Sequence, residues 1–214
     1  LVQILAESIN CKVENISLTL GDTKLGPDSG SSTASRTTYT IGNAIIDAAK
    51  KLKKRLAEIL NLKELNQNIS IRDNILSIGQ NQHRLENILE GEYLEVKGSF
   101  IVPVSDVELG DGLPHILYCY AGHIVTVEVD IRTGEISVID VVAFLDPGAV
   151  INKQGIEGQS EGGIVMALGY ALLEDTILDK GFFKNPHLST YIIPTSMDAP
   201  QNIDSDYGRP LKMR

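Results

Sequence analysis

The run "HILYCYAGHIVTVEVDIRTGEISVIDVVAFLD", residues 115–146, limits the possible folds more than any other stretch. Val125, Val127 and Val129 alternate with polar residues, "RTG" follows, and Ile136, Val138 and Ile139 resume the apolar pattern. Side chains alternate between faces along a strand, so this reads as two half-buried strands folded back through a glycine-containing turn. Such a hairpin needs a second layer to cover its apolar face.

Helical spacing elsewhere supplies that layer. Leu1, Ile4, Leu5 and Ile9 share one face of a helix over residues 1–9. Ile41, Ile45, Ala48, Leu52, Leu56 and Ile59 mark a second, from about Thr37 to Leu60. A third, rich in glycine, spans about Asn152 to Leu172. "VENISLTLGD", with Ile16, Leu18 and Leu20 on one side, reads as a strand, as do "EYLEVKGSFIVP" and "STYIIPT". Gly21, Gly26, Pro27 and Gly30 mark a long turn region. Residues 61–92 suggest short elements with one helix near Gln82 to Leu89, and "QNIDSDYGRPLKMR" is polar and patternless. The expected fold is α+β, with two layers: helices packed on a mostly antiparallel sheet. Because the chain opens inside a helical pattern, residues 1–214 are expected to be a piece of a larger protein.

The formal charge of −9 argues against nucleic acid as a partner. The basic run from Lys50 to Arg55 lies in the C-terminal half of its helix, where it complements the helix dipole. No apolar run reaches the roughly 20 residues that span a bilayer, so no membrane is expected. Cys11 and Cys119 are the only cysteines. That excludes a cysteine-ligated zinc or iron–sulfur site within the chain and fits a reducing, cytoplasmic setting. The four histidines, His83, His115, His123 and His187, have no metal-ligand spacing.

Two stretches carry chemistry. In "SGSSTASRTT", residues 29–38, small and hydroxyl-bearing residues lead into a helix. A helix start leaves backbone N–H groups unpaired and partly positive, and small residues let an anion approach them. Hydroxyls at Ser31, Ser32, Thr33, Ser35 and Thr37 add donors, and Arg36 adds a bidentate one. The plainer reading is a solvated, capped loop. In "INKQGIEGQSEGGIVMALG", residues 151–169, Gly155, Gly158, Gly162, Gly163 and Gly169 interrupt a helix. Each costs roughly 1 kcal/mol against alanine, so close packing or a close ligand must offset them. Gln159 lies among them with an amide that both donates and accepts. Glu157 and Glu161, four apart, read as a solvated edge or as an acid–base pair.

Three blocks, in order, resemble one family. "GDTKLGPDSGSSTASRTTYTIGNAI", "VEVDIRTGEISVIDVVAFLDPGAVINKQGIEGQSEGGIVMALGYALLED" and "NPHLSTYIIPTSMDAP" cover about half the chain. They resemble the second molybdopterin-binding domain of the molybdenum hydroxylases, the xanthine dehydrogenase/aldehyde oxidase family. The resemblance implies that Ser32, Thr33, Ala34, Ser35, Arg36 and Thr37 wrap a molybdopterin, in mono- or dinucleotide form, and that Gln159 reaches the metal's oxo group or the pterin. It implies hydroxylation of purines, related heterocycles or aldehydes with water-derived oxygen. Electrons would leave through iron–sulfur clusters and FAD on partner domains or subunits. The pterin dithiolene would hold the molybdenum, so no protein metal ligand is expected.

The family also has a Gly-Gln-Gly before the helix that opens this chain and a glutamate base beyond its last strand. Neither is found in this sequence, and Glu157 and Glu161 match other family positions. The expectation is therefore a partial second molybdopterin-binding domain with no catalytic residue of its own, inactive in isolation. A non-catalytic scaffold of the same fold, or a phosphate- or nucleotide-binding module using the residue 31–37 cradle, stays open.

Overall fold

The computed structural model describes residues 1–33, 36–61, 69–103 and 118–207. They divide into two compact units, one before and one after residues 104–117.

The first unit is built on α2, Gly42–Ile59, which a single π-helical turn, Thr37–Ile41, precedes. Helix α1, Val2–Ile9, packs across its start. Gly42 permits that approach, because a Cβ there would come 2.9 Å from Cδ1 of Ile4. The polar stretch expected to hold short elements forms a three-stranded antiparallel sheet: β1 (Ile69–Arg72), β2 (Ile75–Ile78) and β3 (Asn81–Arg84). Asp73 and Asn74, both at positive φ, make the first turn, where Asn and Asp tolerate the left-handed region. Leu56 from α2 is buried with Ile69, Leu76 and Ile78. The expected helix at Gln82 begins only at Leu85 (α3, Leu85–Leu89), because β3 takes the preceding residues into the sheet.

Two expected strands in this unit are absent. Over 13–22 there is one short 3-10 turn, Val13–Asn15, and Leu18 and Leu20 are exposed. The alternation is present, but no described strand pairs with it, and an unpaired strand has no ladder to hold it. Residues 92–103 run along α2 instead of joining a sheet. Lys51 Nζ donates to the Lys97 carbonyl at 3.0 Å, and the Ser99 N–H donates to Asp47 Oδ2 at 2.9 Å. Gly98 is required there, because a Cβ would collide with the Ala44 carbonyl.

The second unit contains the expected hairpin. Strand β4, Tyr120–Val129, pairs antiparallel with β5, Ile136–Asp146. Gly134, at φ 76°, closes the turn. A bulge sets Thr126 opposite Asp140 and Val127 opposite Val138, leaving Ile139 as the extra residue. Helix α4, Lys153–Leu172, lies on this sheet, with Ile164 buried against Val141 and Ala143. A small hairpin, β6 (Leu178–Asp179) and β7 (Phe182–Phe183), follows. "STYIIPT" forms turns, not a strand, with Thr190 and Tyr191 N–H groups both donating to the His187 carbonyl. The tail that showed no pattern supplies β8, Asn202–Tyr207, parallel to β5. Among the described residues the sheet order is β4-β5-β8, with β4 at one edge and every residue of it exposed. The α+β class with mostly antiparallel sheets is as expected.

Candidate functional site

The first candidate region leads into α2. Asp28 Oδ1 accepts the Gly30 N–H at 2.8 Å, which tightens the loop. Gly30 has φ 68°, and a Cβ there would lie 2.8 Å from Arg36 Nη2. Glycine therefore serves twice: it permits the backbone turn and lets the guanidinium fold back over the loop. The hydroxyls of Ser32 and Thr37 share a hydrogen bond at 2.7 Å across the entry to the helix. Thr33 is exposed, and its carbonyl accepts the Arg36 N–H at 2.8 Å. Among the described residues, Arg36 has no carboxylate partner. Exposed N–H and O–H donors beside a helix start, opened by a π-turn of the kind that recurs at functional sites, can receive an anion. Ala34 and Ser35 lie outside the described residues.

The second region is the N-terminal half of α4. Asn152 caps it, its Oδ1 accepting the Gly155 N–H at 2.7 Å. A Cβ added at Gly158, Gly162 or Gly163 would meet nothing within 4 Å. Among the described residues, these three glycines make no close helix–sheet contact. They leave helix backbone bare next to Gln159, whose side chain is exposed. Gly169 is the opposite case: it is buried, and a Cβ there would collide with the Glu174 carboxylate and come 2.7 Å from the Pro194 ring. Gln159 helps line a mostly apolar cavity of about 510 Å³ with His123, Val125, Val141, Ser160 and Gly163.

The carboxylate pair does not act as a pair. Glu157 accepts from the Tyr207 hydroxyl at 2.6 Å and lies 3.6 Å from Lys153 Nζ, whereas Glu161 is exposed. Desolvation, with the hydrogen bond to Glu157, pushes the Tyr207 phenol above its ordinary value. The Glu157 carboxylate likewise holds Lys153 above its own. Beside them the Ser205 hydroxyl donates to Ser160 Oγ at 3.0 Å. Sequence reasoning missed Ser205 and Tyr207, although Ile203, Ser205 and Tyr207 stand at every second position and all turn toward α4. It also left His123 without a role. No group of His, Cys, Asp and Glu among the described residues could hold a metal ion. No helix among them is long and apolar enough to cross a membrane.

Residues 1–200 match the family of the molybdopterin cofactor-binding domain, and the chain belongs to it. Among curated proteins, the chain is 35% identical over 209 residues to a probable xanthine dehydrogenase subunit of Bacillus subtilis (strain 168), covering 92% of this chain and 27% of that protein. It is 25% identical over 203 residues to the aldehyde oxidoreductase molybdenum-binding subunit PaoC of Escherichia coli (strain K12), covering 94% and 26%. The aldehyde oxidoreductase of Desulfovibrio desulfuricans ATCC 27774 superposes with a TM-score of 0.74 at 26% identity, covering 97% of this chain and 21% of that one. Quinoline 2-oxidoreductase from Pseudomonas putida 86 shares the fold at TM-score 0.74 and 24% identity, over 99% of this chain and 28% of that one. The chain thus spans about a quarter of the length of the relatives it matches.

Proposed function

We propose that this chain is a partial second molybdopterin-binding domain. It would belong to the molybdenum subunit of an oxidoreductase that hydroxylates purines, related heterocycles or aldehydes. The observation that carries this reading is the family match over residues 1–200, in which both donor regions fall. The residues present suit the cofactor. Ser32, Thr33, Arg36 and Thr37, with Ala34 and Ser35 between them, offer donors and no carboxylate to a phosphate-bearing ligand. Bare backbone at Gly158, Gly162 and Gly163 lets a flat heterocycle come close to the Gln159 amide.

When bound, the cofactor supplies the two-electron oxidation that accompanies addition of water-derived oxygen. The chain's own part is to bind and orient. Arg36 and the hydroxyls neutralise and grip the anionic end, and Gln159 hydrogen-bonds a polar edge. Turnover belongs to the whole subunit, so the isolated chain is inactive. The remaining subunit segments, and iron–sulfur and flavin subunits in a cytoplasmic complex, are the partners. The exposed apolar edge of β4, with Ile124, Val125, Val127 and Val129, supports a covering polypeptide.

The test is molybdenum and pterin content of the chain purified with its native partners, for wild type, Arg36→Ala and Gln159→Ala. Wild type should carry about one molybdenum per copy, and each variant should retain less. Binding of a simple nucleotide with no pterin would favour the phosphate-module reading. No ligand in any variant would leave a scaffold.

A further inference from the structure

Helix α4 is unevenly anchored. Its C-terminal half is placed by apolar burial, through Ile164 and Leu168 on Val138, Val141, Ala143 and Ile203, and by the buried Gly169. In its N-terminal half, residues 153–163, no side chain is fully buried. Four glycines there also weaken the helix, by roughly 1 kcal/mol each. Apolar packing therefore does not fix the rotation of the turn that carries Gln159. Two hydrogen bonds from β8 reach that turn instead: Tyr207 to Glu157 at 2.6 Å and Ser205 to Ser160 at 3.0 Å. They bracket Gln159 in sequence. At about 100° per residue they hold this turn to β8, while Gln159, Ser160 and Gly163 line the cavity beside β4 and β5.

We infer that Tyr207 and Ser205 are positioning residues: their hydrogen bonds to Glu157 and Ser160 set the rotation of α4 that presents Gln159 to the cofactor. This rests on the reading of Gln159 as a cofactor contact. The Tyr207 hydroxyl donates to the Glu157 carboxylate, which Lys153 also faces at 3.6 Å, so the latch needs an acceptor at residue 157 and is strengthened by its charge.

The test uses the chain assembled with its native partners and follows molybdenum retained during dialysis. Hydrogen exchange over residues 153–163 is read alongside. Tyr207→Phe keeps the ring and removes the donor. It should speed cofactor loss about fivefold, the size of one hydrogen bond. It should also raise exchange in 153–163 while residues 164–172 stay protected. Glu157→Gln keeps an acceptor but loses the carboxylate and should fall between wild type and Glu157→Ala, whereas Glu157→Ala should match Tyr207→Phe. Equal loss in both Glu157 variants overturns the latch. In a Gln159→Ala background, Tyr207→Phe should add nothing, because its effect passes through Gln159. An additive loss there means that Tyr207 only supports the fold, and the inference fails. If Gln159→Ala speeds cofactor loss and Tyr207→Phe does not, the latch alone is wrong. If Gln159→Ala has no effect, the cofactor role of Gln159 falls, and the latch falls with it.

Discussion

Candidate cofactor residues lie ahead of helix α2 and within the N-terminal half of helix α4, and the two helices are held in different ways. Helix α2 buries Gly42, Ala49, Leu56 and Ala57, and its core partners are apolar side chains of β1 and β2. Its ion pairs, such as Lys51 with Asp47 at 2.6 Å, lie on the surface. Helix α4 buries only Ile164 and Gly169, and hydrogen bonds to β8 fasten its glycine-rich half. The difference separates two jobs. A helix that only has to start in the right place can be anchored by its far face. On the proposed reading, backbone kept bare for a ligand leaves the N-terminal half of α4 few side chains for packing, so polar contacts locate it.

Truncating one apolar anchor in each helix tests this most severely. Leu56→Ala removes a side chain that is 2% exposed and enclosed by Ile69, Leu76 and Ile78. It should cost about 3–4 kcal/mol of the first unit's stability. Ile164→Ala should cost the second unit only about 2 kcal/mol, because Ile164 already borders the open cavity. Urea titrations read through hydrogen exchange in each unit would show both. Equal losses would mean that α4 is anchored as α2 is.

A smaller effect of opposite sign comes from Gly162→Ala. The added methyl meets nothing within 4 Å, so the helix should gain about 1 kcal/mol. If the bare backbone serves the cofactor, molybdenum content should fall as the melting temperature rises. A stabilised variant with full cofactor would show that Gly162 has no such purpose.

The smallest contrast is in pH dependence. The Lys51 ammonium, then the Ser99 N–H, hold Asp47 below its ordinary carboxylate value. Its folded pKa is lowered, so its contribution is present above the unfolded value near 3.8 and is lost as pH falls through the folded one. Lys153 and Tyr207 on the α4 side are both raised, so their contributions are present at neutral pH and lost above about pH 10. Asp47→Asn should therefore differ from wild type in urea at pH 7 and converge with it in acid. Tyr207→Phe should converge with wild type in alkali. Convergence of both at the same end of the scale would contradict the assigned fastenings.

Much of this was legible in the residues themselves. The hairpin, both long helices and the α+β class follow from period and turn chemistry, which act locally. Ser32–Thr37 and Gln159 stood out as candidates because hydroxyl-bearing small residues at a helix start present donors, and glycines within a helix are locally unfavourable. The strand expected at 13–22 failed because alternation does not supply a pairing partner. The one expected at 92–103 failed because α2 offered the backbone other hydrogen bonds, through Asp47 and Lys51. Strand β8 was overlooked because Ser205, on the inward face between Ile203 and Tyr207, is polar and breaks the apolar half of the alternation.

The sequence by itself determined which segments are helix or hairpin, and which residues are chemically able to bind an anion or a heterocycle edge. Those properties depend on neighbours a few residues away. Only the tertiary structure decided that β8 joins β5, that Gly169 is packed while Gly158, Gly162 and Gly163 are bare, and that Tyr207 reaches Glu157 across fifty residues. Those outcomes depend on which distant surfaces meet, and a local pattern does not encode the partner that satisfies it.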